Sequence, residues 1–371
     1  MAEVEIGGNR RGRPSYGFDD IAIVPSRRTR DPHSVSVAWQ IDAYRLDMPL
    51  MLAPVDSVVS PQVAIEAGRL GGIGVLNLEG VWTRYEDPEP ILAEIASLDD
   101  ATATQRMQEL YSAPIRTELI AERIQQVRNA GVTVAAALSP QRTAELHKHV
   151  VEAGVDLFVI RGTTVSAEHD AAGGPEPLNL KRFIYELDVP VIVGGCANHQ
   201  AALHLMRAGA AGVLVGFGGG ATQTTHSVLG VRVPMATAIA DVAAARRDYL
   251  DESGGRYVHV IADGGLLSSG DIAKAIACGA DAAMLGSLAA RADGAPGRGW
   301  HWGSEAYHPD LPRSERRFVG TTGSLRSVLL GPSTRADGTM NLVGALRKAI
   351  ATAGYGDPKE FQRVDLSAIA R

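Results

Sequence analysis

The sequence predicts an α/β chain folded as a closed (β/α)8 TIM barrel, and three observations carry that expectation. Eight short apolar, β-branched runs follow one another between Met48 and Gly286, separated by longer segments with helical spacing, the rhythm of βα units feeding a parallel sheet. The runs are apolar almost without interruption, as strands covered on both faces must be. Helix stops recur one to three residues before a run, at Ala130-Gly131, Ala153-Gly154, Ala208-Gly209 and Cys278-Gly279, where glycine takes the left-handed conformation that closes a helix. Eight such units favour a closed barrel over an open doubly wound sheet.

In chain order the expected strands are Met48–Ala53, Gly72–Leu76, Val132–Leu138, Asp156–Arg161, Val189–Gly194, Gly212–Phe217, Tyr257–Ala262 and Asp281–Gly286. Ser60-Pro61 and Ser139-Pro140 mark helix starts, with serine capping free N–H groups and proline in the first turn. Leu78–Gly131 reads as a helix with a decorated loop, too short for an inserted domain pair. Residues 288–339, rich in Gly, Pro, Arg and aromatics without a clean period, read as a long rim loop or flap, and loops of that length in compact domains usually carry function. Asn341–Ala353 restores a helical pattern that closes the barrel, so residues 1–371 are expected to form one domain.

Composition narrows the class of function. The 371 residues are 45% hydrophobic and 21% charged with a net charge of -6, and the basic residues are scattered, so the footprint of a nucleic-acid binder is missing. No apolar stretch suits a leader or a membrane span, and a cytoplasmic protein is expected. Arg10, Arg11 and Arg13 read as a solvated arm. The two cysteines, Cys196 and Cys278, indicate neither a disulfide framework nor a zinc site.

Active sites of such barrels are built from the loops that follow the strands. Two loops stand out: Asp263-Gly264-Gly265, running into Ser268-Ser269-Gly270-Asp271, and Met284-Leu285-Gly286-Ser287. Glycines there let backbone N–H groups approach an anion, and the seventh and eighth loops often hold a phosphate. Asp263 is placed to accept hydrogen bonds from ribose hydroxyls; the competing role is a cap for Ser268 or Ser269. After the sixth strand, Gly216 to His226 carries four glycines, which imply close approach by a ligand or an ion. His226 either hydrogen-bonds a base or is solvated.

These residues resemble the IMP dehydrogenase and GMP reductase family. Gly218-Gly-Gly220-Ala-Thr-Gln223-Thr-Thr225 is similar to its catalytic loop. Ile261-Ala-Asp263-Gly-Gly265, Ser269-Gly-Asp271-Ile-Ala-Lys274-Ala and Gly279-Ala-Asp281-Ala-Ala-Met284-Leu-Gly286-Ser287 resemble its nucleotide-phosphate block. Phe18-Asp-Asp-Ile21, Ala53-Pro-Val-Asp-Ser-Val58 and Gly71-Gly-Ile-Gly-Val75 match its opening strands. The likeness is greatest to a short actinobacterial subgroup without regulatory domains. It implies a purine nucleoside monophosphate such as IMP or GMP, an NAD cofactor, a role in guanine nucleotide metabolism and homotetrameric assembly. It also implies a ribose contact at Asp263 beside Gly264, phosphate contacts at Gly265, Gly286 and Ser287, completion of the site by Gly303 and Ser304, and Thr225 beside the reacting base. The carbonyls of Gly218 and Gly220 would hold a potassium ion.

The resemblance also shows departures. The family forms a covalent adduct between a loop cysteine and the purine, the work of a strongly nucleophilic thiolate, and the matching position here is Gln223. Cys278 reads as core. Cys196 is expected near the barrel mouth, the only thiol able to reach the pocket. Arg161 stands where the family holds the nicotinamide ribose with an aspartate, and Arg316-Arg317-Phe318 is the nearest match to its water-activating arginine and tyrosine. Two functions therefore stay open, an oxidoreductase working by an altered route and a catalytically inactive nucleotide-binding sensor or partner protein; a flavin-binding barrel is the weaker third.

Overall fold

The computed structural model describes residues 3–166, 178–217, 219–303, 308, 310–312 and 314–369. Eight parallel strands close into a barrel: β1 (Leu50–Leu52), β2 (Ile73–Asn77), β3 (Ala135–Leu138), β4 (Leu157–Arg161), β5 (Val191–Cys196), β6 (Gly212–Val215), β7 (His259–Asp263) and β8 (Ala282–Leu285). The last strand pairs with the first, Met284 opposite Met51. Nearly every strand residue is buried, which is why the runs are apolar throughout rather than alternating.

All eight expected strands are present, with shifted ends. Most strands begin one to three residues later than expected, and at two places on the lower rim carboxylates bind backbone amides. Asp156 accepts from the Val134 amide at 2.8 Å, and Asp281 accepts from the Val260 amide at 2.8 Å. Asp281 is also held by Arg246 Nη1 at 2.8 Å and the Tyr257 hydroxyl at 2.8 Å.

The helix signals are realised as written. Ser60 and Ser139 accept from the amides of Val63 and Arg142, each with proline in the first turn. Gly131, Gly154, Gly209 and Gly279 all have positive φ. At Gly279 a Cβ would lie 2.6 Å from Ala243 Cβ, so chain reversal and close packing both require glycine there.

Two regions differ from expectation. The Leu78–Gly131 connection holds three α-helices, Glu89–Ser97, Asp100–Tyr111 and Thr117–Arg128. The first two build a satellite core in which Leu92, Ile95, Met107 and Tyr111 pack around Trp302 of the rim segment. The rim itself is more ordered than a loop: Trp300–His301 pairs antiparallel with Arg317–Phe318, and Leu325–Leu330 is helical. Leu342–Thr352 is the expected closing helix. Near the N-terminus, Arg10 and Arg11 are exposed on a hairpin, and Arg13, also exposed, is ion-paired with Asp241 of the Met235–Glu252 helix. Among the described residues no helix is long and apolar enough to cross a membrane.

Candidate functional site

The carboxyl ends of the strands surround one cleft. Its lining includes Ala53 and Val55 after β1, Arg161 ending β4, Gly220 and Gln223 after β6, Asp263, Gly264 and Gly265 at β7, Gly286 and Ser287 after β8, and His301 and Gly303 from the rim. Eight of the sequence-assigned residues thus meet in one place, although they come from loops far apart in the chain. Gly218 and Ser304 lie outside the described residues.

The backbone of this cleft is glycine for a steric reason. A Cβ at Gly286 would stand 3.1 Å from His301 Nε2, and one at Gly265 would stand 3.2 Å from Met235 Cγ. Gly264 and Gly265 have φ of 121° and 69°, which L side chains rarely adopt. Among the described residues the amides of Gly265, Gly286 and Ser287 donate to no backbone carbonyl, which leaves three N–H groups at the cleft for an acceptor.

Asp263 is neither a helix cap nor open to the cleft alone. Ser268 does the capping, its Oγ accepting from the Asp271 amide at 3.3 Å, and Asp271 Oδ2 in turn accepts from Leu267 N at 3.1 Å and Ser268 Oγ at 3.0 Å. Asp263 Oδ2 instead accepts from Arg161 Nε at 2.9 Å, across the mouth from β4 to β7. The two side chains are 11% and 16% exposed. Arg161 and Asp263 are the sole charged groups among the described residues lining the cleft, since burial, helped by the nearby charge of Arg161, pushes His301 down to about 4.

Several expected roles are corrected. Thr225 does not line the cleft: it is fully buried and its hydroxyl donates to Gln223 Oε1 at 3.1 Å. The Gly220 carbonyl accepts from the Gln223 amide at 3.1 Å, closing a turn of the loop, and keeps a second lone pair, so the cation role expected of it stands as before. His226 is exposed and borders a neighbouring cleft with Asp19 and Arg232. Arg316 is turned away. Its guanidinium stacks 3.8 Å from the Trp300 ring centroid and donates to the carbonyls of Ile95 and Leu98 and to Asp100. That arginine ties the rim to the satellite helices.

Neither thiol reaches the cleft. Cys196 is the last residue of β5, is 1% exposed and directs Sγ at the Leu214 carbonyl, 3.5 Å away, instead of at the mouth. Burial pushes it up to about 12. Cys278 is half-buried at a helix end, and burial pushes it up to about 12 as well. A thiol so disfavoured as thiolate is inert near neutral pH.

The residue that sequence reasoning missed is His301. It is buried, its Nδ1 lies 3.0 Å from Ser57 Oγ, and its Nε2 is 3.1 Å from where a Cβ on Gly286 would stand. Its one sequence signal was its place two residues before Gly303.

Comparison with known proteins places this architecture. The family model described as "IMP dehydrogenase / GMP reductase domain" matches residues 15–308. An uncharacterized oxidoreductase of Mycolicibacterium smegmatis is 53% identical, covering 98% of this chain and 99% of its own. A similarly named protein of Mycobacterium tuberculosis is 54% identical at the same coverage. The inosine-5'-monophosphate dehydrogenase of Borreliella burgdorferi is 30% identical over 76% of this chain and 70% of its own. In three dimensions the chain is similar to a crystal structure of an IMP dehydrogenase/GMP reductase-like protein from Corynebacterium glutamicum, with a TM-score of 0.94, 50% identity, and 99% and 98% of the two chains covered.

Proposed function

Because this chain belongs to the IMP dehydrogenase and GMP reductase family, we propose that it binds a purine nucleoside monophosphate at the barrel mouth, with phosphate seated on the loops after β7 and β8. The observation that carries this reading is the convergence of Gly265, Gly286, Ser287 and Gly303 on one cleft, with amide donors there and a carboxylate at Asp263 beside them. A phosphate needs several donors at one point. A ribose diol needs an acceptor such as Asp263 Oδ1, which remains a second acceptor while Oδ2 takes Arg161.

The family's covalent route is not open to these residues. Gln223 lines the cleft, its amide nitrogen is no nucleophile, and both thiols lie elsewhere and are held protonated. For a nicotinamide dinucleotide, the carboxylate that the resemblance leads one to expect at its ribose is replaced by Arg161, which can donate to the diol but cannot accept from it. The reading is of nucleotide recognition without thiol chemistry, consistent with a sensor or partner protein. A second reading, an NAD-dependent oxidoreductase using another route, is favoured by the name oxidoreductase on relatives at 53–54% identity.

The deciding experiment is a thermal-shift series with IMP, GMP and AMP, run beside an assay of IMP with NAD followed by absorbance of reduced nicotinamide. A ligand that binds only the native state raises apparent stability. Stabilisation by IMP or GMP that Asp263→Asn weakens, with no reduced nicotinamide formed, supports recognition without turnover. Steady reduction abolished by Asp263→Asn supports the oxidoreductase. Indifference to every purine monophosphate overturns both.

A further inference from the structure

The cleft contains an imidazole to which neither the motifs nor the family likeness gives a task. His301 is 5% exposed, yet its outer nitrogen is not enclosed. Nε2 faces the Gly286 backbone at the distance where a side chain would collide, and no hydrogen bond to Nε2 is found among the described residues. A polar atom that reaches a cleft without a protein partner is open to a hydrogen bond from a ligand.

The proton on this ring can be located from its neighbours. The Trp302 amide donates to Ser57 Oγ at 3.2 Å, and Ser57 Oγ donates its single proton to the Trp302 carbonyl at 3.1 Å. With the serine proton so placed, the remaining contact, 3.0 Å from Ser57 Oγ to His301 Nδ1, is one that the ring donates. A neutral imidazole that carries its proton on Nδ1 presents a lone pair at Nε2. The ring is neutral in the empty cleft because burial, and after it the charge of Arg161, pushes it down to about 4.

That lone pair points at the place where the proposed phosphate sits, beside Gly286 and Ser287. A phosphoryl dianion has only acceptors, so an acceptor nitrogen against it is repulsive unless a proton lies between them. We propose that His301 is a ligand-contacting residue, and that the nucleotide is bound together with one proton from solvent held between Nε2 and a phosphoryl oxygen. No bond between heavy atoms forms or breaks. The charged groups around the ring leave that proton's place to the ligand: Arg161 and Asp263 pair with each other across the cleft, and Arg317 on the paired strand is bound to Glu315. Asp56, next to Ser57, accepts from Asn77, Val81 and Tyr111. The short helix from Ser287 to Ala290 brings no ionisable side chain. The inference rests on the nucleotide reading above.

The test is isothermal titration of the whole protein with IMP in buffers of different ionisation enthalpy, above the phosphate's own second ionisation at about pH 6. Wild type is expected to take up close to one proton per nucleotide at pH 7, and its affinity is expected to fall by up to about tenfold per pH unit above that. His301→Gln places an amide that can donate directly to the dianion, so uptake is expected to drop toward zero while binding persists. Ser57→Ala is the second variant: it removes the acceptor that fixes the tautomer, frees the proton to move to Nε2, and is expected to lower uptake. Nucleotide binding with no proton uptake in wild type, or uptake unchanged in both variants, overturns this proposal and leaves the nucleotide reading standing. No binding of any purine monophosphate overturns both.

Discussion

Replacing Arg161 by glutamine should reveal how far the barrel mouth is held by one ion pair. Arg161 Nε lies 2.9 Å from Asp263 Oδ2, and the side chains are 16% and 11% exposed, so this is not an exposed pair worth a few tenths of a kcal/mol. Charge centres about 4 Å apart attract by roughly 4 kcal/mol at an effective dielectric of 20. Much of that attraction offsets the loss of hydration, but removing one partner strands the other: on the order of 3–5 kcal/mol for a fully buried pair, and about 2–3 kcal/mol at this exposure. Arg161→Gln and Asp263→Asn should each lower stability by that amount. Their combination should cost about 1–2 kcal/mol less than the sum, as for groups in direct contact. Urea unfolding of the four proteins without ligand measures it. Strict additivity would refute the claim that the pair is the mouth's principal electrostatic contact.

Three further outcomes are expected. His301, pushed down to about 4 from an ordinary 6.5, binds its proton more weakly folded than unfolded, so stability should fall as pH drops from about 6.5 to 4, by up to about 3 kcal/mol; His301→Gln should flatten that limb in urea titrations at stepped pH. Cys196, buried with its pKa up at about 12, should resist iodoacetamide in the native protein and react after unfolding, and Cys196→Ala should leave nucleotide-induced thermal shifts unchanged. Asp281→Asn, at the opposite end of the barrel from the cleft, should cost about 3–5 kcal/mol by stranding the buried Arg246, with the nucleotide Kd changed less than twofold in calorimetry.

What the sequence disclosed is what local chemistry controls. A strand buried on both faces must be apolar along its length, so β5 and β7 could be found without knowing their neighbours. Gly131 and Gly279 stop helices because the chain reverses there, and Ser139 caps one because its oxygen reaches an amide three residues on. The glycines of the loops after β7 and β8 were legible for the same reason: their backbone geometry excludes side chains. The cross-mouth contacts were not. Arg161 meets Asp263 across 102 residues of sequence, and Ser57 meets His301 across 244. Such pairs arise only when barrel closure brings strand ends together. Likewise, Glu89–Ser97 and Asp100–Tyr111 gain their apolar partner, Trp302, from the distant rim, so their pattern alone did not define helices that pack.

The changes at the mouth are chemically connected. Thiol chemistry on a bound base requires a thiolate beside the ligand and a local field that stabilises it. Here the fixed cation is committed to Asp263, the loop offers an amide at Gln223, and both cysteines sit where burial keeps them protonated. The part of the cleft proposed to seat a phosphate depends on none of those features, because backbone amides and glycine clearance form it. Anchoring and reactivity are thus carried by different atoms, and one can be altered while the other persists. In such a cleft discrimination falls to hydrogen-bond donors and acceptors, and the role proposed for His301, a ring kept neutral by burial and held 3.0 Å from Ser57, depends on where one proton resides.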